Sequence, residues 1–192
     1  MSVTETEKPD NATTFRIKES REMDPAEVET KHVARFNDLI EDDSIFKEDR
    51  DDEIGERRHF HVISPEGYLK DAKITSPHHF HISYVELPPG HEVQLHAHDV
   101  AEVFVQMTGT FEFGYGDQGQ HKVVLNPMDT FSVPIDVMRG FKNVGLTNGI
   151  VMVIYDKPGD ILENIFYDEE HIDEIRETWK KSGKDITVKR VN

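Results

Sequence analysis

The sequence predicts a mainly β fold, an antiparallel sandwich or barrel with helical extensions at both ends. Between about residues 59 and 155, the 192-residue chain consists of short apolar or alternating runs separated by turn residues, with no helical segments between them. Closely spaced short strands without intervening helices are typical of antiparallel sandwiches and barrels. The predicted strands are 59–63, 80–87, 102–107, 110–115, 122–125, 130–133, 140–144 and 150–155.

The chain divides into three predicted parts: an acidic N-terminal arm over 1–57, the β domain over 58–158 and a C-terminal helical extension over 159–192. The arm is rich in charge and poor in apolar residues. Its one predicted helix has an N-cap and a capping-box spacing at its start, followed by a single apolar stripe. The residues of this pattern are Asp24, Pro25, Glu27, Val33, Phe36 and Ile40.

A second helix is predicted in the C-terminal extension. Asp168 can cap it, an apolar stripe follows, and Gly183 is suited to ending it. We expect the stripe to pack against the barrel wall; it consists of Ile172, Ile175 and Trp179.

The composition excludes several classes of function. A formal net charge of −16 would repel nucleic acid and anionic membrane surfaces. Because the chain has no cysteine, disulfides and thiolate metal sites are excluded, and any metal must be held by histidine and carboxylate groups. No secretory signal is visible, and no apolar run approaches the ~20 residues of a membrane span. We therefore expect a cytoplasmic protein without nucleic-acid or membrane partners.

A His-x-His pair followed by a glutamate carries the chemistry. Side chains two residues apart on a strand share one face, so His96 and His98 point the same way. Glu102 would lie about 13 Å further along a straight strand, so the chain must turn near 99–101 and place Glu102 on the adjacent strand, opposite the pair. Two imidazoles and a carboxylate then converge. That ligand set suits Fe, Mn, Ni, Cu or Zn and leaves coordination positions open.

The spacing of these residues resembles the first motif of the cupin superfamily, which is Gly, five residues, His-x-His, three residues, Glu, six residues, Gly. All five positions match: Gly90, His96, His98, Glu102 and Gly109. The resemblance covers about residues 59–157 and implies a cupin-type double-stranded β-helix (jelly-roll) barrel, commonly a homodimer. It also implies a divalent transition metal held by the two histidines and the glutamate, with a small-molecule ligand or substrate in the barrel.

The second cupin motif is degenerate in this chain. Its pattern is Gly, five residues, Pro-x-Gly, two residues, His, three residues, Asn. Pro134 and Asn143 match, whereas Met128 and Asp136 replace the two glycines. Arg139 stands where the family places a fourth metal ligand, a histidine. A guanidinium is permanently charged and has no lone pair to give, so Arg139 cannot be a ligand.

This departure leaves two interpretations open. In the first, His96, His98 and Glu102 hold the metal as a three-ligand facial site, and Arg139 binds a carboxylate or another anionic group of the substrate. In the second, the pocket is metal-free and Arg139 forms a buried ion pair with Glu102. The first is favoured, because nothing structural requires two neighbouring imidazoles to face one carboxylate.

Other polar residues on the predicted strands are candidates for the same pocket. His81 could replace the missing fourth ligand or bind substrate; the alternative is a hydrogen-bonded or exposed histidine of the wall. Gln106 lies on the same strand face as the motif glutamate and is suited to donating a hydrogen bond to a pocket ligand. His59 and His61 share a face but have no carboxylate pattern beside them, and we interpret them as surface or interface residues.

Three classes of function are compatible with these residues. The first, which we favour, is a metal-dependent enzyme acting on a small polar or anionic molecule; by analogy with the cupin fold a dioxygenase is the first choice, and an isomerase or lyase the alternative. Glu102 and Arg139 are its candidate catalytic residues, Glu102 as a general base if it is not tied to the metal. The second class is a non-catalytic small-molecule-binding cupin without metal. The third is an assembly module, against which the convergent polar cluster argues.

Overall fold

The computed structural model describes residues 20–42, 57–65, 69–156 and 165–166. This part of the chain contains ten strands and confirms the predicted mainly β fold. The strands are β1 (Arg58–Ile63), β2 (His81–Leu87), β3 (Glu92–His98), β4 (Glu102–Thr108), β5 (Phe111–Tyr115), β6 (His121–Leu125), β7 (Thr130–Val133), β8 (Arg139–Asn143), β9 (Gly149–Tyr155) and β10 (Ile165–Phe166).

The strands form two antiparallel five-stranded sheets that together make a barrel of the jelly-roll type. One sheet has the order β1-β2-β9-β4-β7, and the other has the order β10-β3-β8-β5-β6. In β2, β4 and β9, buried residues alternate with less buried ones, as expected when one face of each strand lines the core. The chain passes repeatedly from one sheet to the other, so residues close in sequence face each other across the barrel.

An aromatic cluster joins the two sheets in the middle of the barrel. Phe104 of β4 lies with its ring centroid 4.9 Å from that of Phe113 on β5 and 5.4 Å from that of Phe141 on β8. All three side chains are buried. Aromatic rings bury large apolar areas and favour such tilted contacts, so this cluster closes the barrel interior below the motif residues.

The N-terminal helix begins as predicted but is shorter than its apolar stripe. The Asp24 side chain accepts a hydrogen bond from the amide of Ala26, and helix α1 spans Pro25–Lys31. Phe36 instead begins a short 3₁₀ helix, Phe36–Asp38. Its ring packs on Phe60 and Tyr84, so contact with the outer face of the first sheet overrides the helical spacing here.

The predicted C-terminal helix lies outside the described residues. Two residues of the same extension form strand β10, which the sequence analysis did not predict. Ile165 pairs with His98 and Phe166 pairs with Ala97, so the extension adds an edge strand beside the His-x-His pair. Within the described ranges, no helix has the length and apolarity needed to cross a membrane.

Both residues that replace glycines of the second motif have a left-handed backbone. Met128 has a φ of 77° and Asp136 a φ of 60°, which glycine adopts readily and other residues rarely. Gly109 of the first motif lies in the same region, at a φ of 77°. A Cβ on Gly109 would also lie 2.9 Å from the Cα of Gly149, so both backbone and space require glycine there. At the two degenerate positions the chain instead retains backbone strain.

Replacing Met128 by glycine should relieve that strain. We expect Met128→Gly to raise the free energy of unfolding by roughly 0.5–1 kcal/mol, because the left-handed backbone penalty exceeds the added entropy of the unfolded chain. The Met128 side chain is 79% exposed, so little packing is lost. Denaturant unfolding checks this, with Met128→Ala as the control that keeps the Cβ. An equal response of the two variants would contradict the strain argument.

His61 is buried, and its interpretation as a surface or interface residue is wrong. Only 2% of it is exposed. Its Nδ1 lies 2.9 Å from the Ser83 hydroxyl of β2, and its Nε2 lies 3.1 Å from Oδ2 of Asp42. The Asp42 amide in turn donates to the carbonyl of His59. The imidazole therefore links Asp42 of the N-terminal arm to β1 and β2.

This cluster predicts a pH dependence of stability. Burial lowers the pKa of His61 from its ordinary 6.5, and the charge of Asp42 offsets only part of this effect. Below about pH 6.5, His61 is protonated in the unfolded chain but stays neutral in the folded protein. The contribution of His61 to stability is therefore full above about pH 6.5 and is lost as the pH falls.

Denaturant unfolding between pH 7.5 and pH 5.5 tests this expectation. The loss of unfolding free energy over that range should be smaller in His61→Gln, which keeps hydrogen-bonding groups but does not titrate. His121→Gln, at an exposed position, serves as the matched control and should follow the wild type. Parallel curves for the wild type and His61→Gln would contradict the assignment.

Candidate metal centre

The motif residues converge at one end of the barrel, where β3 ends and β4 begins. The chain turns at residues 99–101, as predicted from the spacing. One ligand atom from each of His96, His98 and Glu102 lies within 4.8 Å of the others. All three side chains are buried, with 8%, 1% and 1% of each exposed. The structure thus brings together the three residues that were predicted from the sequence as metal ligands.

A backbone carbonyl fixes the ring of His96. Its Nδ1 lies 2.7 Å from the carbonyl oxygen of Gln94. Because a carbonyl oxygen only accepts, Nδ1 carries the proton and Nε2 carries the lone pair. Burial holds the pKa of His96 well below 6.5, and the charge of Arg139 lowers it further. His96 is therefore a neutral imidazole in the tautomer that a metal ligand requires.

Arg139 lies in the same pocket and forms an ion pair with Glu102. Strand pairing sets Arg139 of β8 opposite His96 of β3. Its Nε donates to Oε2 of Glu102 at 2.7 Å, and its Nη2 lies 2.5 Å from the same oxygen. Nη1 donates to the carbonyls of His96 and Val137 at 3.3 and 3.4 Å. The ion pair of the metal-free interpretation is therefore present beside the histidine pair.

Tyr155 is a member of the site that the sequence analysis missed. It pairs in register with Glu102 across β9 and β4, its ring stands edge-on to His98 at 5.2 Å, and its hydroxyl is hydrogen-bonded to Glu102. Burial and the Glu102 charge raise the pKa of Tyr155 well above 10, so the hydroxyl stays protonated and donates. Its parity with Val151 and Val153 on the predicted strand was the available signal.

The charge of Glu102 is set by opposing effects. Burial raises the pKa of its carboxyl group above the ordinary value, and Arg139 and the hydrogen bond from Tyr155 offset only part of this effect. Arg57, which is 8% exposed and precedes β1, also lowers it through its charge. No sequence pattern marks Arg57, because it acts across the fold from outside both motifs.

The other two nominated residues lie apart from this cluster. His81 is buried and pairs in register with Tyr155, but the cluster found among the described residues contains only the two motif histidines and the glutamate. Both roles of His81, as a fourth ligand and as a substrate contact, stay predictions. Gln106 lies beyond Phe104 on β4, and its Nε2 donates to the carbonyls of Thr108 and Ile150. Its amide is thus committed as a donor, and contact with a ligand stays a prediction.

The donor set fits a divalent transition metal. Two imidazoles and one carboxylate are a common ligand set for such ions, and three protein ligands leave positions open for water or substrate. Both contacts of Arg139 fall on Oε2 of Glu102, so the ion pair does not occupy both carboxylate oxygens. The guanidinium nevertheless competes with a metal for the charge of Glu102.

Removing the Tyr155 hydroxyl should weaken metal binding without disturbing the packing of β9 in the barrel. Tyr155→Phe keeps the ring against His98 but frees the Glu102 carboxylate to rotate, so we expect metal affinity to fall roughly tenfold. Competition with a chromophoric chelator measures the affinity. Tyr84→Phe, on the outer face of β2, is the matched control and should bind metal like the wild type. Unchanged affinity in Tyr155→Phe would show that the hydroxyl does not orient Glu102.

Comparison with known proteins supports the resemblance stated from the sequence. A family model described as "Cupin domain" matches residues 83–155, from within β2 to the end of β9. The match includes the two histidines, Glu102 and Arg139. A comparison with curated protein sequences finds no match.

Several solved structures are similar to this chain. A "predicted oxalate decarboxylase" from Thermotoga maritima shares 19% identity at a TM-score of 0.49, over 65% of this chain and 98% of that one. KdgF from Halomonas sp. shares 17% identity at a TM-score of 0.43, over 56% of this chain and 86% of that one. An oxalate oxidase shares 18% identity at a TM-score of 0.46, over 58% of this chain and 54% of that one. The chain thus spans about half the length of the oxalate oxidase structure.

The family assignment agrees with what the strands and the motif show. The described strands form two antiparallel sheets, as the first motif implied. The motif histidines and glutamate converge at one end of the barrel, and the family model spans the strands that carry them. The family model over residues 83–155, together with the motif that the described strands carry, therefore supports membership of the cupin superfamily.

Proposed function

We propose that this cupin binds a divalent transition metal through His96, His98 and Glu102 and acts as an enzyme on a small polar or anionic molecule. The observation that carries the proposal is the convergence of two buried imidazoles and a buried carboxylate, with one ligand atom from each within 4.8 Å of the others. His96 supports it further, because its bond to Gln94 aims a lone pair away from the backbone. A structural histidine pair would not need this arrangement.

Each residue of the site has a defined role in this proposal. His96 and His98 are neutral ligands, and Glu102 is the anionic ligand or, if it is not tied to the metal, a general base. Arg139 binds an anionic group of the substrate. The Tyr155 hydroxyl orients the Glu102 carboxylate. A bound metal would supply Lewis-acid or oxygen chemistry.

The reaction is proposed by analogy with the fold. A dioxygenase is the first choice, and a metal-dependent isomerase or lyase is the second. Phe104 and Phe141 form the floor of the site, and both are buried. These two filled positions favour a small substrate. The homodimer, the cytoplasmic location and the domain boundaries stay predictions from the sequence.

The Arg139–Glu102 ion pair favours a second candidate function. A buried pair satisfies both charges without any metal, and its distances of 2.7 and 2.5 Å are those of a formed pair. In that case the chain is a non-catalytic small-molecule-binding cupin. The two candidates differ in one measurable property, which is the metal content.

Elemental analysis separates these candidates. Protein purified without an affinity tag or chelator should contain near-stoichiometric iron, manganese, nickel, copper or zinc, and His96→Ala/His98→Ala should lose it, because a single carboxylate holds such ions weakly. His78→Ala/His79→Ala, a neighbouring pair outside the cluster, is the matched control and should retain the metal. Wild-type protein that stays metal-free after reconstitution would favour the binding protein.

A further inference from the structure

Glu102 has two partners that compete for the charge of its carboxylate. The proposed function needs its carboxylate as a metal ligand, whereas in this structure both Nε and Nη2 of Arg139 contact its Oε2. A carboxylate that turns to a metal must give up part of this contact. Arg139 is 1% exposed, and a buried guanidinium without an anion is strongly destabilising. Metal binding at Glu102 therefore creates a demand for a second anion.

Hydrogen bonds to the backbone hold the Arg139 guanidinium in place independently of Glu102. Its Nη1 donates to the carbonyls of His96 and Val137, and these bonds do not depend on Glu102. Its Nη2 touches Oε2 of Glu102 as an ion pair, but among the described residues no acceptor meets hydrogen-bond geometry at this buried nitrogen. Arg139 thus contacts one oxygen, not the two-oxygen fork that a guanidinium forms with a well-placed carboxylate.

We propose that a divalent metal and a small carboxylate bind this site cooperatively, because they exchange partners at Glu102 and Arg139. The inference rests on the proposed function. The metal takes the Glu102 carboxylate, and the carboxylate of the incoming ligand replaces it on Nε and Nη2 of Arg139. The metal alone would leave Arg139 without an anion, and the carboxylate alone would have to displace Glu102. Each ligand removes the cost of binding the other, so each tightens the binding of the other by the same factor.

The class of ligand follows from what Arg139 binds in this structure. Its partner is a carboxylate, and a ligand that takes the place of Glu102 needs the same planar, two-oxygen anion. The space below is filled: Phe104 lies next inward from Glu102 on β4, Phe141 lies next inward from Arg139 on β8, and their ring centroids are 5.4 Å apart. This floor favours a short mono- or dicarboxylate.

Calorimetric titrations of the full chain test the exchange with Zn²⁺ and malonate as probes, and with malonamide as the uncharged control. In the wild type, excess Zn²⁺ should tighten malonate binding on the order of tenfold, and malonate should tighten Zn²⁺ equally. Malonamide should show neither effect. Malonate can also contact Zn²⁺ directly, so two variants isolate the exchange.

The variants give opposite and specific expectations. Arg139→Gln removes the competitor for Glu102, so it should bind Zn²⁺ on the order of tenfold more tightly than the wild type, and the mutual tightening should shrink to what direct contact between malonate and Zn²⁺ supplies. Glu102→Gln removes the internal carboxylate, so without any Zn²⁺ it should bind malonate on the order of tenfold more tightly than the metal-free wild type. Circular dichroism verifies that each variant is folded. If Arg139→Gln is not, Glu102→Gln decides.

The outcomes separate this inference from the function on which it rests. Zn²⁺ binding that is unchanged or weaker in Arg139→Gln, or malonate binding that is unchanged in metal-free Glu102→Gln, would overturn the exchange and leave the metal site standing. A wild-type protein that binds no Zn²⁺ would overturn both. Tighter Zn²⁺ binding in the first variant and tighter malonate binding in the second would support the exchange.

Discussion

The buried ion pair between Arg139 and Glu102 is the interaction on which the chemistry of this barrel depends. Both side chains are almost fully buried, and two charges removed from water are tolerated only when they compensate one another. The pair lets a carboxylate lie beside two imidazoles inside an apolar barrel. The same positive charge helps to keep His96 neutral. A cation that enters a site compensated in this way competes with Arg139 for the charge of Glu102.

The topology of the barrel explains why polar groups with different roles lie at opposite ends. At one end, β3, β4, β8 and β9 each contribute a site residue. The aromatic cluster around Phe104 fills the middle. At the other end Asn143 donates to the carbonyls of Leu87 and Thr147, and Gln106 donates to backbone carbonyls of its own sheet. These groups hydrogen-bond the backbone at the end of the barrel opposite the candidate metal site.

Much of this arrangement could be predicted from the sequence, because alternation and turn residues are local signals. The His-x-His spacing and the required turn predicted the convergence of the three candidate ligands, since strand geometry leaves few alternatives. The features that the sequence did not predict depend on contacts between residues that are distant in the sequence. His61 is buried because Asp42, 19 residues away, meets it, and the helix at Pro25 ends early because Phe36 packs on a distant strand. Tyr155 joins the site through register, which no single segment encodes.

The most direct test of the central claim is a crystal structure of the protein soaked with Zn²⁺ and recorded at the zinc absorption edge. We expect one anomalous peak bound by Nε2 of His96, a ring nitrogen of His98 and a carboxylate oxygen of Glu102, each at about 2.1 Å, with a lengthened contact from Arg139 to Glu102. An intact Arg139–Glu102 pair with no anomalous density between the two histidines would contradict it.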